Sequence, residues 1–187
     1  GKTPREVFDN LGNIRAGQLD TYHTPEGHVT NIAGKEAVQF IREHNSNSPF
    51  FLYVAFNAPH VPRETYKKFY NLYPEDSIKL PPSVKAGPLN PNIQYNYAPD
   101  PLQPDMMKSR RQRNKAMVTH MDHRVGDIIK ALKAAGKYNE TIIVFMSDQG
   151  ISFGENGVAG KVCLYEPSVT APLIIAGPGL PENRIIS

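Results

Sequence analysis

Four residues stand where their types and neighbours could do chemistry. Asp148 and Gln149 follow the apolar run Thr141–Met146 (T-I-I-V-F-M) after the single residue Ser147. A carboxylate beside a carboxamide oxygen offers two hard donors to a divalent cation. The same Asp also suits a turn or a helix N-cap. His60 lies between Pro59 and Pro62, just after the apolar run Pro49–Phe56 (P-F-F-L-Y-V-A-F). Prolines on both sides predict an extended, rigid segment. An imidazole titrates near neutrality and can pass a proton to a leaving group, or it can cap a strand. Lys161 closes the glycine-rich stretch G-E-N-G-V-A-G-K (Gly154–Lys161). Glycines let backbone approach a ligand closely, and the lysine can place a point charge on an oxyanion. A plain surface loop uses the same residues. The stretch is not a P-loop, because Val162 stands where Ser or Thr is needed.

Other candidates carry less. His120 and His123 are three residues apart on one helical stretch, with no third ligand nearby, and a metal there is not expected. Lys108–Lys115 holds five cations in eight residues. It lacks interleaved aromatics, so it reads as a solvated helix face and no nucleic-acid partner is expected. Cys163 has no base beside it, and Val162 and Leu164 suggest a packed strand edge. Asn139-Glu140-Thr141 is a glycosylation sequon.

The elements that must position these residues follow from apolar spacing. Thr30–His44 has helical spacing at Ile32, Ala37, Phe40 and Ile41, with Thr30 as N-cap. Arg63–Tyr70 is a short helix. Asp105–Ala135 is a long one, with Met117, Met121, Val125, Ile128 and Leu132 on one seam and Gly136 at its end. Pro49–Phe56, Thr141–Met146 and Pro172–Ala176 are continuous apolar runs of the kind found in strands buried on both faces. Strands separated by helices predict an α/β fold with a mainly parallel sheet flanked by helices. In such sheets ligands sit beyond the carboxyl ends of the strands, which predicts His60, Asp148, Gln149 and Lys161 on one rim.

The 187 residues suffice for one domain, and 40% apolar with 21% charged residues is ordinary globular usage. A net charge of +3 is too weak to imply a polyanionic partner, and one cysteine excludes an internal disulfide framework. No run reaches the length of a membrane span. Eight of the 17 prolines fall between Pro74 and Pro104, which predicts an irregular excursion over 74–104 within a single domain 1–187.

Taken together, four blocks resemble the sulfatases of the alkaline-phosphatase-like superfamily: Pro49–Pro62, Met121–Gly136, Asn139–Gly150 and Phe153–Gly179. The resemblance runs from about Tyr22 to Gly179 and more faintly over Pro4–Tyr22. It implies hydrolysis of sulfate esters of small molecules or carbohydrates, in a periplasmic, secreted or lysosomal setting. In the family a Cys or Ser in C/S-x-P-x-R becomes formylglycine and attacks sulfur beside a calcium ion. The resemblance makes Asp148 and Gln149 metal ligands, His60 the residue that helps the leaving oxygen depart, and Lys161 a neutraliser of sulfate charge.

C/S-x-P-x-R occurs nowhere in these residues, since Cys163 is followed by Leu-Tyr-Glu, and the family's paired N-terminal metal aspartates are absent as well. The formylglycine nucleophile is expected upstream. The chain therefore reads as an incomplete sulfatase-like catalytic domain carrying half a site, inactive alone. Uncovered sheet surface favours self-association. Two alternatives stay open: a phosphodiesterase or phosphonate hydrolase of the same superfamily, and a non-catalytic scaffold fragment.

Overall fold

The computed structural model describes residues 23–24, 27–84, 104–161 and 163–185. Most of the proline-rich excursion, 85–103, lies outside them, as does the fainter resemblance before residue 23. The chain divides into two compact units, Gly1–Ile78 with Arg111–Gly136, and Lys79–Arg110 with Lys137–Ser187.

In the first unit, β1 (His23–Thr24) and β2 (Gly27–His28) pair antiparallel and lead straight into α1 (Val29–Glu43). The N-cap is His28, not Thr30. The helix starts earlier than its apolar spacing suggests, and the His28 Nδ1 accepts the Thr30 N–H at 3.1 Å. That satisfies one of the orphan donors of the first turn. The buried face of α1 is Thr30, Gly34, Ala37 and Ile41, so Ile32 and Phe40 lie off the expected stripe. Gly34 explains the rotation. A Cβ there would lie 2.8 Å from Cβ of Arg124, whose side chain passes over the glycine.

Pro49–Phe56 is not a strand. Phe50 packs on the end of α1 through the rings of Phe40 and His44, at 5.6 and 5.1 Å. Beyond it, exposed and half-buried residues alternate through Phe56. The residues have strand character, but no ladder partner for them occurs among the described residues, and a strand exists only with one.

The helix expected over Arg63–Tyr70 shrinks to α2 (Lys67–Tyr70). The Tyr70 hydroxyl accepts from Thr65 N–H and donates to the Arg63 carbonyl, both at 3.1 Å. This side-chain closure replaces a helical ladder. Burial pushes the Tyr70 phenol up to about 12.

α3 (Pro104–Ala134) matches the long helix expected from the sequence, and Gly136 takes positive φ just past its end. Met117, Met121 and Leu132 of its seam are buried. The basic run is not a solvated face. Its residues from Lys108 to Asn114 are half-buried, and Lys115 lies over the Tyr73 ring at 5.6 Å. Long cationic side chains bury their stems along apolar surface in this way.

Phe69, Tyr70 and Ala116 form an aromatic core with Tyr66 and Tyr73. His120 belongs to it. Its ring stacks on Phe69 at 4.7 Å and is 2% exposed. Its Nε2–H donates to Asn31 Oδ1 at 2.8 Å, and its Nδ1 accepts from the Thr65 hydroxyl at 2.9 Å. Both nitrogens are thus committed to the protein, and His120 with His123 makes no ligand pair. The Thr–His–Asn chain resembles a nucleophile relay, but Thr65 is fully buried and no substrate can reach it.

The second unit holds β3 (Ile143–Met146) and β6 (Leu173–Ala176), paired with Ile143 opposite Ala176 and Met146 opposite Leu173. The pairing is antiparallel. Among the described residues every ladder is a two-stranded antiparallel one, which corrects the expected mainly parallel sheet. Between β3 and β6 the chain turns back through the hairpin of β4 (Ser152–Phe153) and β5 (Ala159–Gly160), then the single turn α4 (Glu166–Val169). Parallel pairing needs a longer crossover helix. The strands are also not buried on both faces. β3 alternates half-buried and exposed residues, and β6 is exposed throughout. Met107 and Ala159 supply this unit's small core, with Leu80 and Met106 against it. No described helix is long and apolar enough to cross a membrane.

Burial first, then the nearby His28 and Arg124, pushes the His120 imidazole from 6.5 down to about 3. His120 is therefore neutral when folded and takes up a proton when unfolded. Its contribution to stability is full above pH 6.5 and is lost as pH falls toward 3. The urea midpoint of the chain should decline through that window, and His120→Asn should flatten the decline. A midpoint independent of pH between 6.5 and 3 would exclude a buried neutral imidazole.

Candidate functional site

Asp148 and Gln149 sit in the turn that leaves the end of β3. Ser147 Oγ lies within hydrogen-bonding distance of both Asp148 Oδ1 (3.3 Å) and the Gln149 carbonyl (3.1 Å). The following residue must be glycine. A Cβ on Gly150 would lie 2.2 Å from the Pro167 carbonyl oxygen and 2.5 Å from that of Thr170. With no side chain there, Gly150 N–H reaches the Ser168 carbonyl at 3.0 Å and ties the turn to α4.

Lys161 is delivered by the hairpin. The glycines before it build the hairpin turn rather than a ligand cradle. Gly154, Asn156 and Gly157 take positive φ, and Gly154 N–H bonds the Val158 carbonyl at 2.7 Å. Gly154 also admits Val84 and Met107, within 3.1–3.3 Å of where its Cβ would be. A Ser152 hydroxyl bond to the Val158 carbonyl at 2.9 Å braces the turn.

These two devices bring Asp148, Gln149 and Lys161 to one open depression of about 580 Å³, which Cys163, Leu164, Ser168 and Val169 also line. Cys163 is half-buried on this wall rather than packed in a strand edge, with its Sγ 3.0 Å from the Ser168 hydroxyl. Sequence reasoning missed Ser168, which lies within the resembling block Phe153–Gly179 but carries no signal of its own there. The depression combines an exposed carboxylate, a carboxamide and an ammonium group, a donor set that suits an anionic ester with a divalent cation. Among the described residues no three His, Cys, Asp or Glu gather to hold a metal. Asp148 and Gln149 are thus the right chemistry for part of a shell and do not close one.

His60 belongs to the first unit. It is not in an extended segment. Residues 57–60 form a turn closed by His60 N–H on the Asn57 carbonyl at 2.9 Å, and the Ala58–Pro59 and Val61–Pro62 peptides are cis. His60 Nδ1 lies 2.7 Å from the Val61 carbonyl. That oxygen can only accept, so Nδ1–H donates to it.

The sulfatase family model matches residues 4–187, and the chain belongs to the sulfatase family. A sulfatase of Formosa agariphila is 33% identical over 97% of this chain and 39% of its own length. The solved structure of Ps i-CgsB in complex with k-i-k-neocarrahexaose is 26% identical, with a TM-score of 0.57 over 94% of this chain and 35% of that one. The phosphonate monoester hydrolase of Agrobacterium radiobacter is 22% identical with a TM-score of 0.66, over 80% of this chain and 33% of that one, a likeness of fold. The chain thus has the α/β, alkaline-phosphatase-like fold of these proteins and spans about a third to two fifths of their length.

Gly150→Ala should destabilise the second unit by about 1–3 kcal/mol, the usual cost of forcing atoms into a filled space. Thermal unfolding by circular dichroism measures it. A melting temperature equal to that of the unsubstituted chain would mean that α4 does not press on the turn.

Proposed function

We propose that this chain is the part of a sulfate-ester hydrolase that binds the sulfate and part of its metal ion. The observation that carries this is the meeting of Asp148, Gln149 and Lys161 on one depression in a chain of the sulfatase family. Asp148 and Gln149 would hold a divalent cation, calcium by family resemblance, which when bound supplies positive charge beside the ester. Lys161 neutralises a sulfate oxygen and strengthens that contact as charge builds in the transition state. His60, by family resemblance, passes a proton to the departing oxygen. The formylglycine nucleophile belongs to the C/S-x-P-x-R motif, which these residues do not include.

The substrate is a sulfated carbohydrate or small molecule, a reading supported by the oligosaccharide bound in Ps i-CgsB. The phosphonate reading has the fold likeness alone behind it. The exposed apolar side chains of β3 and β6 support association of the chain with a second copy.

In the native protein carrying this chain, 4-nitrophenyl sulfate should be turned over in preference to 4-nitrophenyl phenylphosphonate. Lys161→Ala should lower kcat/KM by about 10²–10³-fold, as the loss of one charge-stabilising donor does. His60→Ala should cost more with an alkyl or sugar sulfate than with the nitrophenyl ester, because a good leaving group needs little protonation. Preference for the phosphonate, or indifference to Lys161, would defeat the proposal.

A further inference from the structure

We propose that Ser168 is a positioning residue that keeps Lys161 aligned with Asp148 and Gln149, a role that rests on reading their depression as the sulfate and metal site. Ser168 is 2% exposed. A serine in a four-residue helix has no packing reason to be buried, and a buried hydroxyl needs partners. This one has them on separate segments. Its carbonyl accepts Gly150 N–H at 3.0 Å, and its hydroxyl donates to the Gly160 carbonyl at 3.2 Å. A carbonyl can only accept, so the hydroxyl proton is used there, and the Cys163 thiol donates to the hydroxyl oxygen at 3.0 Å.

The partners are the neighbours of the site. Gly150 adjoins Gln149, and Gly160 adjoins Lys161. The Ser168 backbone therefore fastens the turn of the cation donors, and its side chain fastens the strand end that carries the ammonium group. Gly160 takes positive φ (130°), a conformation that only glycine adopts readily, so its freedom has to be limited from outside. The Ser168 hydroxyl is one such restraint. The two fastenings come apart on substitution: Ser168→Ala keeps the backbone bond to Gly150 and deletes the bond to Gly160.

The test is NMR of the ¹⁵N-labelled 187-residue chain, titrated separately with sodium sulfate and calcium chloride. In Ser168→Ala the sulfate dissociation constant read at Gly160 and Lys161 should rise about five-fold, the weight of one ordinary hydrogen bond. The calcium response at Gly150 should stay unchanged, and Cys163 should react faster with a maleimide. Ser168→Thr, which keeps the hydroxyl, should retain the sulfate affinity. Unchanged sulfate affinity in Ser168→Ala, equal loss of the sulfate and calcium responses, or an equal loss in Ser168→Thr would each overturn the positioning role. Lys161→Ala separates the two levels of the argument. If it binds sulfate as the unsubstituted chain does, the site reading itself falls and takes this role with it. If it loses sulfate while Ser168→Ala does not, only the positioning role falls.

Discussion

The carbonyl oxygens of Pro167 and Thr170 lie 2.2 and 2.5 Å from where a Cβ of residue 150 would be. That space exists only for glycine, and the arrangement of the second unit's site depends on it. With Gly150 in place, the turn carrying Asp148 and Gln149 lies flat on α4, and its N–H bonds the Ser168 carbonyl. The Ser168 hydroxyl then reaches the Gly160 carbonyl and the end of the hairpin that carries Lys161. One four-residue helix thus fastens both halves of the depression. Close packing of backbone on backbone leaves little room for adjustment, which gives the site its geometry without a large core beneath it.

The first unit solves a different problem with different means. Its aromatic core contains two buried histidines, His28 and His120, with ring centroids 4.7 Å apart. Burying an imidazole is tolerable only if it is neutral and both nitrogens are hydrogen-bonded. Asn31 and Thr65 meet that condition for His120. The Thr30 N–H and the Glu64 carbonyl do the same for His28. This polar network joins the start of α1, the loop before α2 and the middle of α3, three places that apolar contacts alone would fix less specifically.

Membership of the sulfatase family and the polar groups on one depression support each other. A hairpin turn rich in glycine and an exposed Asp are common features of soluble proteins. Their meaning here comes from their order in the chain together with their convergence on one surface.

The sequence by itself determined the long helix, because the apolar spacing from Met117 to Leu132 and the glycine after it are local properties. It determined the strand character of β3 and β6 for the same reason. It could not determine pairing. Pro49–Phe56, Thr141–Met146 and Pro172–Ala176 read alike as buried strands, yet β3 and β6 run antiparallel and are partly exposed, and Pro49–Phe56 is unpaired among the described residues. Strand polarity is set by the path of the chain between strands, and burial by what covers them, and neither is written in a run of apolar residues. His28 as helix cap, His120 as a buried neutral base and Ser168 as the link between two loops were equally invisible, because each depends on partners distant along the chain. Tertiary structure decided these, since the cost of burying a polar atom is met only when folding brings its partner within hydrogen-bonding distance.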